Sequence, residues 1–119
     1  MNVQRSDRIA SQVKNITGEL LLTHMGDPIF KIVTITVVKM SPDLKYAKIY
    51  YSVLGDEKQK KAVTNALKKA QGHIRAEIGH KLSLRVVPEI SFFYDETEDY
   101  ADHINKLLKK IKSGPEFEQ

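Results

Sequence analysis

The sequence contains no cysteine among its 119 residues, and this absence excludes several classes of protein at once. Without cysteine there is no disulfide scaffold, no thiolate zinc site and no cysteine nucleophile. Long hydrophobic runs are also missing, since the longest, residues 32–38, falls well short of the roughly 18–20 residues of a membrane span. The N-terminal segment lacks the apolar core of a signal peptide, and Asp7 argues against a transit peptide. We therefore expect a soluble, cytoplasmic protein. We expect one domain, because domains commonly have roughly 100–150 residues.

The net charge is small, but the charged residues are unevenly distributed along the chain. Nineteen Lys and Arg against fifteen Asp and Glu leave a net charge of +4. Residues 56–88 carry eight cations and three anions, whereas residues 89–105 carry six anions and no Lys or Arg. Such asymmetry favours an anionic partner for the basic segment. Solvated helix faces that pair with one another explain the same pattern, so the charge alone leaves both interpretations open.

Hydrophobic periodicity predicts two helical regions. Apolar residues at helical spacing indicate helices over residues 6–24 and from 57 to about 82. Ser6 is the predicted N-cap of the first helix, and the run at 25–28, which contains a proline, ends it. Gly72 interrupts the second region, where a glycine costs about 1 kcal/mol relative to alanine. We therefore predict two helices that meet in a kink at Gly72.

Alternating β-branched and aromatic residues predict an antiparallel hairpin. Its strands cover residues 29–40 and 44–54, and a short turn at 41–43 joins them. A third strand at about 84–94 contains Pro88, which suggests a bulge or an edge position. The intervening segment is long enough for a helical crossover, so the third strand is predicted to run parallel to the second.

A final helix is predicted after the third strand. Asp95 and Glu98 form a capping pattern, and an apolar stripe follows at Tyr100, Ile104, Leu107, Leu108 and Ile111. The predicted fold class is α+β: a three-stranded sheet with helices on one face, in the order α-β-β-α-kink-α-β plus a C-terminal helix. We expect a domain over residues 1–112 and a flexible tail over residues 113–119.

The predicted order of helices and strands is that of a type II KH domain, and three segments carry a more specific family resemblance. They are SPDLKYAKIYYS at 41–52, AQGHIR at 70–75 and LRVVPEISFFYD at 84–95. Together the sequence resembles the bacterial ribosome-binding factor A family over about residues 5–112. In KH domains generally a Gly-x-x-Gly loop clamps single-stranded nucleic acid. Segment 70–75 has the family's Ala-x-Gly instead, so readout of a four-nucleotide strand is not implied.

The resemblance implies a function as well as a fold. It implies a non-catalytic, monomeric assembly factor that binds the immature 30S subunit and its 16S rRNA and assists late maturation, including 5′-end processing. The factor would support growth in the cold, use no cofactor, bind no membrane and be released with the help of an assembly GTPase.

The segment around Gly72 is the predicted RNA-binding site. Gly72 lets a backbone approach closely, and a helix that starts there offers free N–H groups to a phosphate. The guanidinium of Arg75, one turn later, is predicted to fork onto a phosphate. In the alternative, Gly72 only relieves helix packing and the nearby lysines are solubilising. The predicted RNA-binding residues are Lys68, Lys69, Ala70, Gly72 and Arg75, with Lys58, Lys60, Lys61, Lys81, Arg85, Arg5 and Arg8 as further contacts.

The remaining candidate sites have structural explanations. Arg85 either contacts phosphate or pairs with Glu89, while Tyr46 and Tyr50 either stack on bases or pack across strands. The four histidines have no zinc-ligand pattern, so we expect no metal and no catalytic constellation. The functional alternatives are a protein-interaction module, a KH-like RNA-binding protein not dedicated to ribosomes and, last, a ribonuclease that uses histidine.

Overall fold

The computed structural model describes residues 2–23 and 26–97, with side chains from residue 5 onward. Two long helices and a three-stranded sheet make up this part of the chain, as the predicted α+β class requires. The predicted C-terminal helix beyond Thr97 and the tail at 113–119 lie outside the described residues. In chain order the elements are α1 (Asn2–Thr23), the 3-10 helix η1 (Pro28–Ile32), β1 (Val33–Met40), β2 (Tyr46–Val53), α2 (Glu57–Leu82) and β3 (Glu89–Tyr94).

The sheet has the predicted topology. Its strand order is β1-β2-β3, with β1 antiparallel to β2 and β3 parallel to β2. The third strand is shorter than predicted, because it begins at Glu89 and not at residue 84. Pro88, immediately before it, is buried and has no N–H to give to a ladder. The segment at 84–88 is therefore a connection that packs back onto α2.

Two local predictions near the first helix are wrong. The helix begins at Asn2, so Ser6 is not its N-cap but a buried residue inside it. Residues 29–32 were predicted as strand, but they form η1. The carboxylate of Asp27 accepts a hydrogen bond from the Ile29 N–H (3.0 Å), and Pro28 occupies the first helical position. A capping Asp followed by Pro starts a helical turn more strongly than the apolar pattern favours a strand.

A β-bulge changes which residues of β1 face the core. Thr36 is the extra residue, because Ile35 pairs with Tyr51 while Val37 pairs with Tyr50. Strict alternation predicted Val37 on the buried face, but the bulge exposes Val37 and buries Val38. In β2 the predicted alternation holds, with Ala47, Ile49, Tyr51 and Val53 buried.

The predicted division of the second helical region at Gly72 is wrong. α2 is one α-helix from Glu57 to Leu82, and Gly72 lies inside it. A capping box fixes the helix start: the carboxylate of Asp56 accepts from the Gln59 N–H and the side chain of Gln59 accepts from the Asp56 N–H, both at 2.9 Å. A 26-residue helix with a strong cap and a continuous apolar stripe absorbs the roughly 1 kcal/mol cost of one glycine.

Both helices pack on the same face of the sheet, as predicted. Side chains from α1, α2 and the three strands form one hydrophobic cluster. Its most deeply buried members are Val13, Leu20, Ile49, Val63, Leu67, Ile74, Ile78 and Ile90. The described residues leave one side of α2 and the opposite face of the sheet uncovered. No helix among the described residues is long and apolar enough to cross a membrane.

Candidate functional site

Four exposed lysines lie together with Gly72 on the part of α2 that is turned away from the core. A spacing of three residues and then of seven places Lys58, Lys61 and Lys68 on one face of a helix, and Lys69 adjoins them. All four lysines are exposed. We call Lys58, Lys61, Lys68, Lys69 and Gly72 the solvent side of α2. The structure thus places Lys68 and Lys69 within about one turn of Gly72, while Lys58 and Lys61 lie roughly three to four turns closer to the start of the helix.

The surroundings of Gly72 match neither predicted explanation of this residue. Inside an α-helix its N–H and the next few N–H groups donate to carbonyls one turn earlier, so the predicted phosphate site at a helix start is wrong. Packing relief has no support either, because a Cβ built on Gly72 meets no atom of the described residues within 4 Å. Gly72 is an exposed helical glycine that the described part of the chain does not require.

Arg75 and Gln71 occupy a second side of α2, where they bind the backbone around β3. The Nε of Arg75 donates to the Pro88 carbonyl and its Nη2 to the Val87 carbonyl, both at 2.9 Å. The Nε2 of Gln71 donates to the carbonyl of Ile90 (2.5 Å). The predicted phosphate fork of Arg75 is therefore occupied by the protein's own carbonyl groups.

Gly79 belongs to the same side of α2. It is buried, and a Cβ at this position would collide with the Cγ2 of Val87. We call Gln71, Arg75 and Gly79 the strand side of α2, because all three lie against β3 or the segment that leads into it. Sequence analysis missed Gln71 and Gly79, since no local pattern indicates which carbonyl or side chain a helix will meet.

The other predicted cations are dispersed. Lys60 is half-buried, 3.8 Å from the Glu57 carboxylate and 4.8 Å from the centre of the Tyr94 ring. Lys81 and Arg85 are exposed near the end of α2, while Arg5 and Arg8 are exposed on α1. Glu89, the alternative partner predicted for Arg85, lies 3.6 Å from Arg75 instead.

A groove of about 570 Å³ runs beside the solvent side of α2. Its walls come from η1 and α2, and its apolar lining includes Ile29, Phe30 and Ala70. Ala70 is only 8% exposed, so of the predicted RNA-binding residues it is the one that belongs to the core. Lys69 and His73 also line the groove and are themselves exposed. A cation beside an apolar groove suits a ligand with both a phosphate and an aromatic base.

Within residues 26–97 the histidines and carboxylates form no cluster typical of a metal site. Among the residues that the structure describes, no three His, Asp or Glu side chains come together as metal ligands. Asp95, which begins the predicted capping pattern, accepts a hydrogen bond from the Thr97 N–H (2.9 Å). Hydrogen bonds, first of all the one from the hydroxyl of Thr36, lower the pKa of Asp95 below its usual value. The Asp95 carboxylate is therefore used in hydrogen bonds from the Thr97 N–H and the Thr36 hydroxyl, which explain it without a catalytic role.

Comparison with known proteins gives one consistent result. The family model described as "Ribosome-binding factor A" matches residues 5–108. The ribosome-binding factor A of Citrifermentans bemidjiense is 44% identical over 117 residues, which cover 98% of each chain. The solution structure of a Thermotoga maritima protein has a TM-score of 0.66 and 33% identity, covering 75% of this chain and 85% of that one.

A further structure has a similar fold. It consists of the coordinates of a Thermus thermophilus ribosome binding factor A homology model, fitted into the cryo-electron microscopy map of a 30S complex with that factor. It has a TM-score of 0.61 and 21% identity, covering 73% of this chain and 91% of that chain. At this identity the likeness concerns the fold.

Proposed function

The chain belongs to the ribosome-binding factor A family, and on that premise we propose that it binds the immature 30S subunit through the solvent side of α2. In this proposal the protein contacts 16S rRNA and assists late maturation in the cytoplasm, including processing of the 5′ end. It acts by binding and not by catalysis, as a monomer, and an assembly GTPase promotes its release. The relative fitted into a 30S complex supports the choice of partner.

The observation that carries the proposal is the exposed glycine among exposed lysines. Gly72 lies inside a long helix, where glycine costs about 1 kcal/mol relative to alanine. No described atom lies close enough to explain its missing side chain. A surface that binds another molecule's backbone explains it, because a residue without Cβ allows the closest approach. Lys68 and Lys69 are exposed beside it and suit the phosphates of that backbone.

The chemistry of this surface favours RNA contact without sequence choice. Lysine ammonium groups on an exposed helix face bind phosphates as point charges. The groove beside Lys69 has room for an unstacked base, which would hold the strand in place. Bound in this way, the protein stabilises one conformation of the rRNA. It dissociates when the mature rRNA structure no longer exposes the bound strand.

Co-sedimentation with purified immature 30S particles tests the proposal. The test variant carries Lys68→Glu and Lys69→Glu, and the matched control carries Lys31→Glu and Lys45→Glu, two exposed lysines outside α2. Both variants lower the net charge from +4 to 0, so only position distinguishes them. We expect the α2 variant to bind at least about 100-fold more weakly, because phosphate contacts dominate such affinities. The control should bind within about threefold of the native protein, since non-contacting charges act only through the long-range field.

Two results would contradict the proposal. Equal loss in both variants would show that net charge, and not the solvent side of α2, governs binding. Undiminished binding of the α2 variant would place the contact elsewhere. Urea unfolding of both variants checks that each remains folded, which we expect because all four lysines are exposed.

A further inference from the structure

The sheet has a second surface that the proposed function does not use. The helices pack on one face, and the opposite face carries Val37, Lys39 and a set of aromatic residues. Phe93 is 41% exposed and Tyr46 is 59% exposed, within the part of the chain that the structure describes. We call this surface the open face of the sheet, defined by Val37, Lys39, Tyr46, Lys48, Tyr50 and Phe93.

The bulge at Thr36 is what assembles this surface. Without the extra residue, Val37 and Lys39 would share the face of Val33 and Ile35, which is buried. With it, Lys39 lies directly opposite Lys48 and Val37 directly opposite Tyr50. Bulges commonly redirect side chains next to functional sites. The bulge therefore supplies one of the two lysines and part of the apolar surface.

Two lysines and two rings are interleaved on this face. The rings of Tyr50 and Phe93 lie 5.6 Å apart at an interplanar angle of 31°. The ammonium of Lys39 lies 5.3 Å from the Tyr50 ring, and that of Lys48 lies 5.9 Å from the Phe93 ring. Like charges directly opposite one another destabilise a sheet, and the rings compensate only in part.

Carboxylates offer little compensation on this face. Neither Lys39 nor Lys48 forms an ion pair with a carboxylate of the described residues. The charge of Lys39 helps to lower the pKa of Asp95, although the hydrogen bond from the Thr36 hydroxyl (2.5 Å) is the larger cause. The open face thus combines partly exposed rings with two lysines that form no ion pair among the described residues, which suits an anionic ligand with aromatic groups.

We propose that the open face of the sheet binds unpaired RNA bases by stacking, with the bases on Phe93 and Tyr46 and the phosphates near Lys39 and Lys48. Single strands are favoured over duplexes because a paired base hides its ring faces in the helix stack. A strand that runs along β2 meets Tyr46, Lys48 and Tyr50 in turn, with Lys39 and Phe93 on the two neighbouring strands. The inference rests on the proposed function in taking RNA as the partner, but the surface is separate from the solvent side of α2.

Nuclear magnetic resonance of the full chain, titrated with a short oligouridine strand, tests this inference. Stacking should shift the ring resonances of Phe93 and Tyr46 upfield, and Phe93→Leu should weaken binding roughly tenfold, because leucine keeps the apolar bulk but cannot stack. Phe93→Tyr should restore binding. The control Leu54→Ala removes another exposed apolar residue, outside the open face, and should leave the affinity unchanged. A short RNA duplex should bind more weakly than the single strand.

Several outcomes would overturn the inference. Ring resonances of Phe93 and Tyr46 that do not shift would overturn it, whether a protein partner or another segment of this chain covers the open face instead. Equal affinity for duplex and single-stranded RNA would show that the open face attracts phosphates and does not stack on bases. Co-sedimentation of Phe93→Leu and of the Lys68, Lys69 variant with 30S particles separates the two proposals. If Phe93→Leu binds as the native protein does while the Lys68, Lys69 variant binds more weakly, the open face alone is refuted.

Discussion

The two sides of α2 carry side chains of similar chemistry but use them in different ways. On the strand side, Arg75 and Gln71 donate hydrogen bonds to carbonyl groups at Val87, Pro88 and Ile90. On the solvent side, Lys68 and Lys69 are exposed beside a glycine whose Cβ position is not approached by any described residue. The difference teaches that a cation's role depends on which backbone lies within reach, and not on its place in a basic segment.

The two glycines of α2 repeat this contrast. Gly79 is required from within, because Val87 fills the space of its missing side chain. Gly72 has no such neighbour in the part of the chain that the structure describes. One glycine therefore serves the fold, and the other is free to serve a partner.

Replacing Arg75 should give the largest effect on stability. Arg75→Ala leaves the half-buried carbonyl groups of Val87 and Pro88 without their charged donor, so we expect a loss of about 2–3 kcal/mol in the free energy of unfolding. Urea denaturation measures this change. Lys68→Ala, on the solvent side, should change it by less than about 0.5 kcal/mol.

The conservative replacement sharpens the result. Arg75→Lys should recover little of the loss, because one ammonium cannot reproduce two directed bonds from Nε and Nη2. Equal effects of Arg75→Ala and Lys68→Ala would show that the two sides of α2 do not differ as described.

Gly79→Ala should have a smaller effect of the same sign. Overpacking against Val87 costs about 1–3 kcal/mol, and the better helix propensity of alanine returns about 1 kcal/mol. We expect a net loss of about 1 kcal/mol, measured by thermal and urea unfolding. The double variant Gly79→Ala, Val87→Ala should lose less than the two single changes together, since the smaller side chain makes room. Strict additivity would mean that the two residues are not in contact.

Periodicity predicted most of the fold because the core determines it. The apolar stripe of α2 and the alternation in β2 became the buried faces, as expected from burial alone. The parallel third strand followed from the length of the crossover. Two failures lie where local structure overrides periodicity, at the Asp27 cap and at the Thr36 bulge. A third lies at Gly72, where the continuous apolar stripe of α2 outweighs the low helix propensity of glycine.

The candidate site was harder to predict than the fold. Sequence analysis grouped Lys68, Lys69 and Arg75 by proximity along the chain, and tertiary contacts then separated them, because Arg75 bonds the carbonyl groups of Val87 and Pro88 while both lysines are exposed. It assigned Lys39 to no site, because without the bulge this residue would belong to the buried face. Which cations are engaged by the protein itself is a property of tertiary contacts, and a single sequence carries no direct record of them.

Gly72→Ala should have the smallest effect on stability and the opposite sign. A Cβ there meets no atom of residues 5–23 or 26–97 within 4 Å, so alanine should raise the free energy of unfolding by about 0.5–1 kcal/mol through helix propensity. Gly18→Ala is the matched control, because Gly18 lies inside α1 and its Cβ would also meet nothing within 4 Å. Both variants should therefore be slightly more stable, but only Gly72→Ala should bind 30S particles more weakly. A gain in stability with unchanged binding would remove Gly72 from the interface. Weaker binding from a more stable protein cannot arise from unfolding, so this result would place the partner's backbone against the solvent side of α2.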